Sequence, residues 1–168
     1  MASELFHATL ILLTLPDGGG ANPPSWAIPN APELISTVAG LMEAFRPELV
    51  LTFDPRHGTT CHPDHRAIGA VVLEAVKRLS FEPKLYLLET RIEIAATPFA
   101  LRFTSATAAA ERIDAKTTWN AIGADMRRHP SQFDDAWLTA VEQVPAEDRA
   151  VYIAPAESAM LGAVATCP

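Results

Sequence analysis

The chain has 168 residues, 49% hydrophobic and 20% charged, a balance that suits one folded domain with a buried core and excludes a disordered polymer. Its formal net charge is -7 and no lysine or arginine precedes Arg46, so the clustered cations that track a phosphate backbone are missing and nucleic acid is not an expected partner. Two cysteines, Cys61 and Cys167, make no disulfide framework, which predicts a reducing, cytoplasmic setting.

The first element in chain order is the apolar run from Ala8 to Leu15. It does not read as a secretory signal: Glu4 precedes it where a cation is wanted, and Pro16-Asp17-Gly18-Gly19-Gly20 follows it. It is too short to span a bilayer, and no other segment reads as a span. A continuous apolar run closed by turn residues predicts a strand covered on both faces. A loop with Pro23, Pro24, Pro29 and Pro32 comes next, neither helix nor central strand, with Trp26 available to pack it.

From Glu33 to Phe45 the period turns helical, with Leu34, Val38, Leu41, Met42 and Phe45 on one side. Leu49 to Phe53 is a second strand, and it runs into the loop Asp54-Pro55-Arg56-His57-Gly58-Thr59-Thr60-Cys61. A helix opens near Pro63 and continues to about Arg78, with Ile68, Val71, Val72, Ala75 and Val76 toward the core. Leu85 to Leu88 is a third strand, and Ala100 to Phe103 a fourth. Glu111 to Arg128 reads as a helix ending at His129-Pro130. A short helix over Asp135 to Gln143 stops before Val144-Pro145. Val151 to Ile153 is a last strand. Strands alternating with helices imply an α/β fold: a Rossmann-like, mainly parallel sheet with helices on both faces, in a single domain spanning residues 1–168. There is no internal repeat.

In open α/β sheets ligands bind beyond the carboxyl ends of the strands. The segment after Phe53 lies there and holds three of the five histidines, His57, His62 and His65. Pro63 suits a first helical turn, where its missing N–H costs nothing, and Asp64 suits the positive end of the helix dipole. His62 and His65 are spaced to face the same way on a helical turn. Two imidazoles beside a carboxylate can share a metal or a polarised substrate. The bland readings stand beside this one. Asp64 alone is an ordinary first-turn residue, His-Pro is a common helix start, and His57 reads as a solvated loop residue. A structural zinc on His57, Cys61 and His65 matches no closed zinc module, and a small buried thiol is the commoner role for Cys61.

Leu51-Thr52-Phe53-Asp54-Pro55, followed by His62-Pro63-Asp64-His65-Arg66-Ala67-Ile68-Gly69, resembles the second motif of the LmbE-like (PIG-L) N-deacetylases. That family includes the N-acetylglucosaminyl-phosphatidylinositol deacetylases and enzymes of bacterial thiol-cofactor synthesis. Leu15-Pro16-Asp17-Gly18 resembles the turn after the family's third strand, and His129-Pro130-Ser131-Gln132 its late His-x-Ser-Gln motif, so the likeness runs from Ala8 to about Gln132. The resemblance implies a zinc or other divalent ion that activates a water against an N-acetyl carbonyl. It implies His65 as a metal ligand, His62 as the oxyanion partner, able also to help protonate the leaving amine, and Asp64 as the residue that orients a histidine.

The chain departs from that pattern in one major respect. The family's first motif, His-Pro-Asp-Asp-Glu, supplies two metal ligands and the general base, and this sequence does not contain it. The only adjacent aspartates, Asp134-Asp135, lack the His-Pro prefix. Cys61 and Thr60 stand where the family often has glycine and tyrosine. In the family two central strands separate the equivalents of Ala8–Leu15 and Leu49–Phe53. Their absence here predicts a rearranged sheet, a homo-oligomer or complementing chain that fills the gap, or a fragment of a longer protein. Three functions follow as expectations: a metal-dependent deacetylase of N-acetylated amino sugars or similar small molecules, impaired in this chain; a non-catalytic sugar-binding remnant of the same fold; and a small structural-zinc unit.

Overall fold

The computed structural model describes residues 8–13, 15, 32–56, 58, 62–89, 110–129 and 134–157. The expected proline-rich loop with Trp26, the turn at Pro16–Gly18, the strand at Ala100–Phe103, His57, Thr60, Cys61, Cys167 and Pro130-Ser131-Gln132 lie outside them. Among the described residues no helix is long and apolar enough to cross a membrane. The α/β class expected from the sequence is the one observed. Four strands form a mixed sheet: β1 (Leu49–Phe53), β2 (Lys84–Glu89), β3 (Glu111–Asp114) and β4 (Ala150–Pro155), in the order β1-β2-β4-β3. The helices are α1 (Pro32–Phe45), α2 (Pro63–Val76), α3 (Trp119–Met126) and α4 (Asp135–Glu142).

Two compact units divide the chain. One comprises Leu15–Glu93, Arg102–Arg112 and Tyr152–Pro168. Its core joins Leu34, Ile35, Val38 and Ala39 of α1 to Val71, Val72 and Ala75 of α2 and Val50 of β1. Helix α1 starts at Pro32 with Glu33 in its first turn, both favourable at a helix N-terminus. It stops at Arg46, whose backbone takes the left-handed conformation (φ 46°) usually left to glycine and whose N–H bonds to the Met42 carbonyl at 2.8 Å. The Arg46 guanidinium lies 4.6 Å from the centre of the Phe81 ring, a cation–π contact that holds it there. The predicted helix is present, but Phe45, expected in the core, is 63% exposed: it sits in the last turn, past the stripe that α2 covers.

Strand β1 pairs in parallel with β2, Leu49 opposite Lys84 through Phe53 opposite Leu88. Parallel neighbours need a crossover, and α2 supplies it. Strand β4 returns antiparallel to β2, with Leu87 opposite Ala154. Those two residues are fully buried and form a second cluster with Ala156. Along β1, Val50 and Thr52 turn inward, whereas Leu49 and Leu51 are about half exposed.

The other unit comprises Met1–Thr14, Ile94–Leu101 and Ile113–Val151. Ala115, Trp119, Val141 and Val144 form its core, and the Trp119 indole N–H donates to the Val141 carbonyl at 2.9 Å. The helix expected over Glu111–Arg128 begins only at Trp119. Residues Glu111–Asp114 are strand, because the Asp114 carboxylate accepts the Lys116 N–H at 2.8 Å and turns the chain, while the Ala115 N–H bonds to the Arg149 carbonyl. The Ala8–Leu15 strand is a further correction. Its described residues carry no strand structure, and Leu10, Ile11, Leu12, Leu13 and Leu15 are exposed. Apolar, β-favouring composition does not hold a strand without a neighbour to pair and pack with, and the described sheet gives this segment none.

Two glycines in helices separate packing from propensity. A Cβ at Gly69 of α2 would strike the Phe53 carbonyl at the end of β1, whereas one at Gly40 of α1 would meet nothing within 4 Å. Gly69→Ala is expected to lower stability by about 1–3 kcal/mol through overpacking. Gly40→Ala is expected to raise it by about 0.5–1 kcal/mol through helix propensity. Urea unfolding of both variants checks the opposite signs.

Candidate active site

The end of β1, the turn after it and the first turn of α2 make one hydrogen-bonded assembly. Asp54 directly follows β1 and is fully buried. Its Oδ1 accepts the Arg56 backbone N–H at 2.7 Å, a side-chain-closed turn that an Asp-Pro-x sequence favours. The Arg56 guanidinium folds back onto the same carboxylate, with Nε 3.0 and 3.1 Å from the two oxygens and a terminal nitrogen 2.5 Å from Oδ2. Arg56 is itself mostly buried, at 17% exposure. Breaking such a pair from one side leaves an uncompensated buried charge and costs about 3–5 kcal/mol.

The chain then reaches Gly58, whose N–H bonds to the Asp54 carbonyl at 2.7 Å. Gly58 has φ +54°, and a Cβ there would press on His65 and the Arg66 backbone, so only glycine fits. Its carbonyl lies 3.0 Å from His65 Nδ1. A carbonyl can only accept, so this bond requires the proton on Nδ1 and leaves the Nε2 lone pair free of it. The His65 ring stacks on Phe53 of β1, 4.2 Å between centres and 4° from parallel.

His62 is set the other way. It occupies the N-cap of α2, and its Nδ1 accepts the Asp64 backbone N–H at 3.2 Å. An accepting Nδ1 places the proton of a neutral ring on Nε2. The two rings lie 5.0 Å apart, tilted by 39°. One imidazole therefore carries an Nε2 lone pair, suited to a metal, and its neighbour an Nε2–H, suited to an oxyanion. His62 is exposed and His65 half-buried, both at the carboxyl end of β1 where the sequence put them. Asp64 joins the site through its backbone N–H to His62.

Burial, first, holds the His65 imidazole below the ordinary histidine value, and the neighbouring His62 pushes the same way; the Gly58 carbonyl and Asp64 oppose them. Neutral His65 is the form a metal ligand needs. Among the described residues no group of three or more His, Cys, Asp or Glu could hold a metal ion. His65 thus fits as one ligand, while the described residues do not complete a ligand set. Sequence reasoning placed His62, Asp64 and His65 but gave no task to Asp54, Arg56 or Gly58. The signals were the Asp-Pro-x turn and the lone glycine before the helix.

Residues 1–76 match the family model PIG-L, described as GlcNAc-PI de-N-acetylase. The matched stretch contains α1, β1, the turn and all of α2. It does not reach His129, which is exposed just beyond α3. No curated protein and no solved structure matches the chain.

Two outcomes follow from this geometry. The folded state disfavours protonated His65, so the unfolded chain takes up that proton first as the pH falls. The stability tied to neutral His65 is fully present above the unfolded pKa of about 6.5 and is lost as the pH falls through the lowered folded value. Urea midpoints measured between about pH 7 and 5 are expected to fall more steeply in the native chain than in His65→Asn. At the other ring, His62→Ala removes an N-cap acceptor and is expected to cost about 0.5–1 kcal/mol, whereas His62→Asn keeps an acceptor and most of the stability. Thermal melts of the two variants give the comparison.

Proposed function

We propose that this chain carries the second-motif half of a metal-dependent N-deacetylase site acting on an N-acetylated amino sugar or a related small amide. The observation that supports this most is the pair of imidazoles held in opposite tautomers, within the stretch that matches the de-N-acetylase family. In this reading His65 Nε2 is the ligand for zinc or another divalent ion. The ion, when bound, supplies a polarised carbonyl and an acidified water. His62 Nε2–H donates a hydrogen bond to the oxyanion as the amide carbon becomes tetrahedral, and the leaving amine takes the proton that the base removed from the attacking water. Asp64 acts on His62 by fixing Nδ1 as the acceptor. The reacting amide sits beyond the end of β1, against His62.

Catalytic zinc usually has three protein ligands, and His65 is the one this chain offers in the described site. The remaining ligands and the base come from elsewhere, a complementing chain or an added segment with the His-Pro-Asp-Asp pattern. By itself the 168-residue chain is impaired. A second reading, a sugar-binding remnant that does not turn over, draws its support from the same incomplete ligand set.

Calorimetry with Zn²⁺ is expected to find no tight stoichiometric site in the 168-residue chain. Turnover of N-acetylglucosamine derivatives is expected to be unmeasurable, since one lost oxyanion donor alone costs ~10²–10³ in rate and the loss of metal and base costs more. A version extended by a His-Pro-Asp-Asp-bearing strand is expected to gain activity and to lose it on His65→Ala. Robust turnover by the unextended chain, abolished by chelator and by His62→Ala, would overturn the claim of impairment. A tight zinc site that survives His65→Ala would overturn the assignment of His65. Binding of the sugar without turnover in the extended version would favour the second reading.

A further inference from the structure

We propose that Asp54 is a positioning residue of this site: its carboxylate, clamped by Arg56, sets the turn that delivers the Gly58 carbonyl to His65 and so decides which His65 nitrogen faces outward. The inference rests on the reading of His65 as the imidazole whose Nε2 does the work.

The connection runs through described atoms at each step. The Asp54 side chain holds the Arg56 backbone N–H at 2.7 Å and the guanidinium along its fork. The Asp54 backbone carbonyl holds the Gly58 N–H at 2.7 Å. One residue therefore fixes the turn from inside and from its backbone. Gly58, in the left-handed region, points its carbonyl at His65 Nδ1, 3.0 Å away. Phe53, directly before Asp54, stacks on the same ring and confines its plane. The stack restrains the plane of the ring without choosing between its nitrogens, because a flipped imidazole stacks equally well. The Gly58 acceptor makes that choice, and the turn that places it depends on Asp54. A carboxylate this deeply buried is costly to keep charged, and Arg56 offsets that cost with a planar fork that a lysine does not reproduce. Outer partners of this kind fix the tautomer and orientation of a ligating histidine.

The test reads the His65 tautomer by imidazole ¹⁵N chemical shifts in the metal-free chain at about pH 8, where an ordinary histidine is neutral. The native chain is expected to show mainly the Nδ1–H form. In Asp54→Ala the Nε2–H form is expected to exceed it. Asp54→Asn keeps an acceptor for the Arg56 N–H but loses the charge, so its shift is expected in the same direction and smaller. Val50→Ala, which loosens the same strand from the core, is the control for a merely structural effect and is expected to leave the tautomer unchanged. If Asp54→Ala does not fold by circular dichroism, the folded Asp54→Asn decides: a measurable shift supports the proposal and none overturns it. A native chain in the Nε2–H form, a folded Asp54→Ala still in the Nδ1–H form, or an equal shift in Val50→Ala would each overturn it. The measurement needs neither metal nor substrate. A failed deacetylase reading therefore leaves its result standing, and a failed tautomer result leaves the zinc and activity assays of His65 as they are.

Discussion

The close seat of α2 on the last carbonyl of β1 is the constraint from which the rest of the site follows. Gly69 has no Cβ to strike the Phe53 carbonyl, so the helix comes within backbone contact of the strand end. That approach brings the first turn of α2 beside the turn that follows Phe53. His65 is thereby within reach of both the Phe53 ring and the Gly58 carbonyl, and His62 reaches the helix N-terminus as its cap. A helix held further out would keep its own hydrogen bonds and lose this convergence. The glycine is needed for packing, and the histidines benefit from it at second hand.

A division of labour follows within a few residues. The buried Asp54–Arg56 pair and the left-handed Gly58 are scaffolding. They satisfy one another and shape a turn that has few apolar side chains to hold it. The imidazoles stand at the open edge, and a backbone group fixes the hydrogen-bonding nitrogen of each. Backbone partners move only if the turn or the helix moves. The tautomers are therefore tied to the fold itself, which pre-organises them in the sense that polar catalysis requires.

Where sequence reasoning succeeded, a local rule and the packed structure agree. Pro63 and Asp64 announced the start of α2, and the start is where they put it. Leu49–Phe53 and Leu85–Leu88 read as strands, and they pair with each other. His62, Asp64 and His65 lie at a strand end, where the strand-turn-helix order places them. Two readings failed for one reason, that pattern was taken without its partner. Ala8–Leu15 has the composition of a buried strand, but pairing is a property of two segments, and the described sheet does not include it. Glu111–Asp114 was folded into a helix because the Asp114 turn, which closes on the Lys116 backbone, leaves only a faint trace in sequence. Asp54 was visible as part of a motif, but its burial and its hold on Arg56 depend on three-dimensional closure that spacing does not express.

The capping bond of His62 has a directional consequence. The in-plane lone pair of the ring is the one at Nδ1, and it is turned to the Asp64 N–H at the helix end. What the ring offers outward is the Nε2–H, whose line is set by the axis of α2. A partner must therefore approach along that line, so the helix acts as a pointer for this imidazole without any moving part.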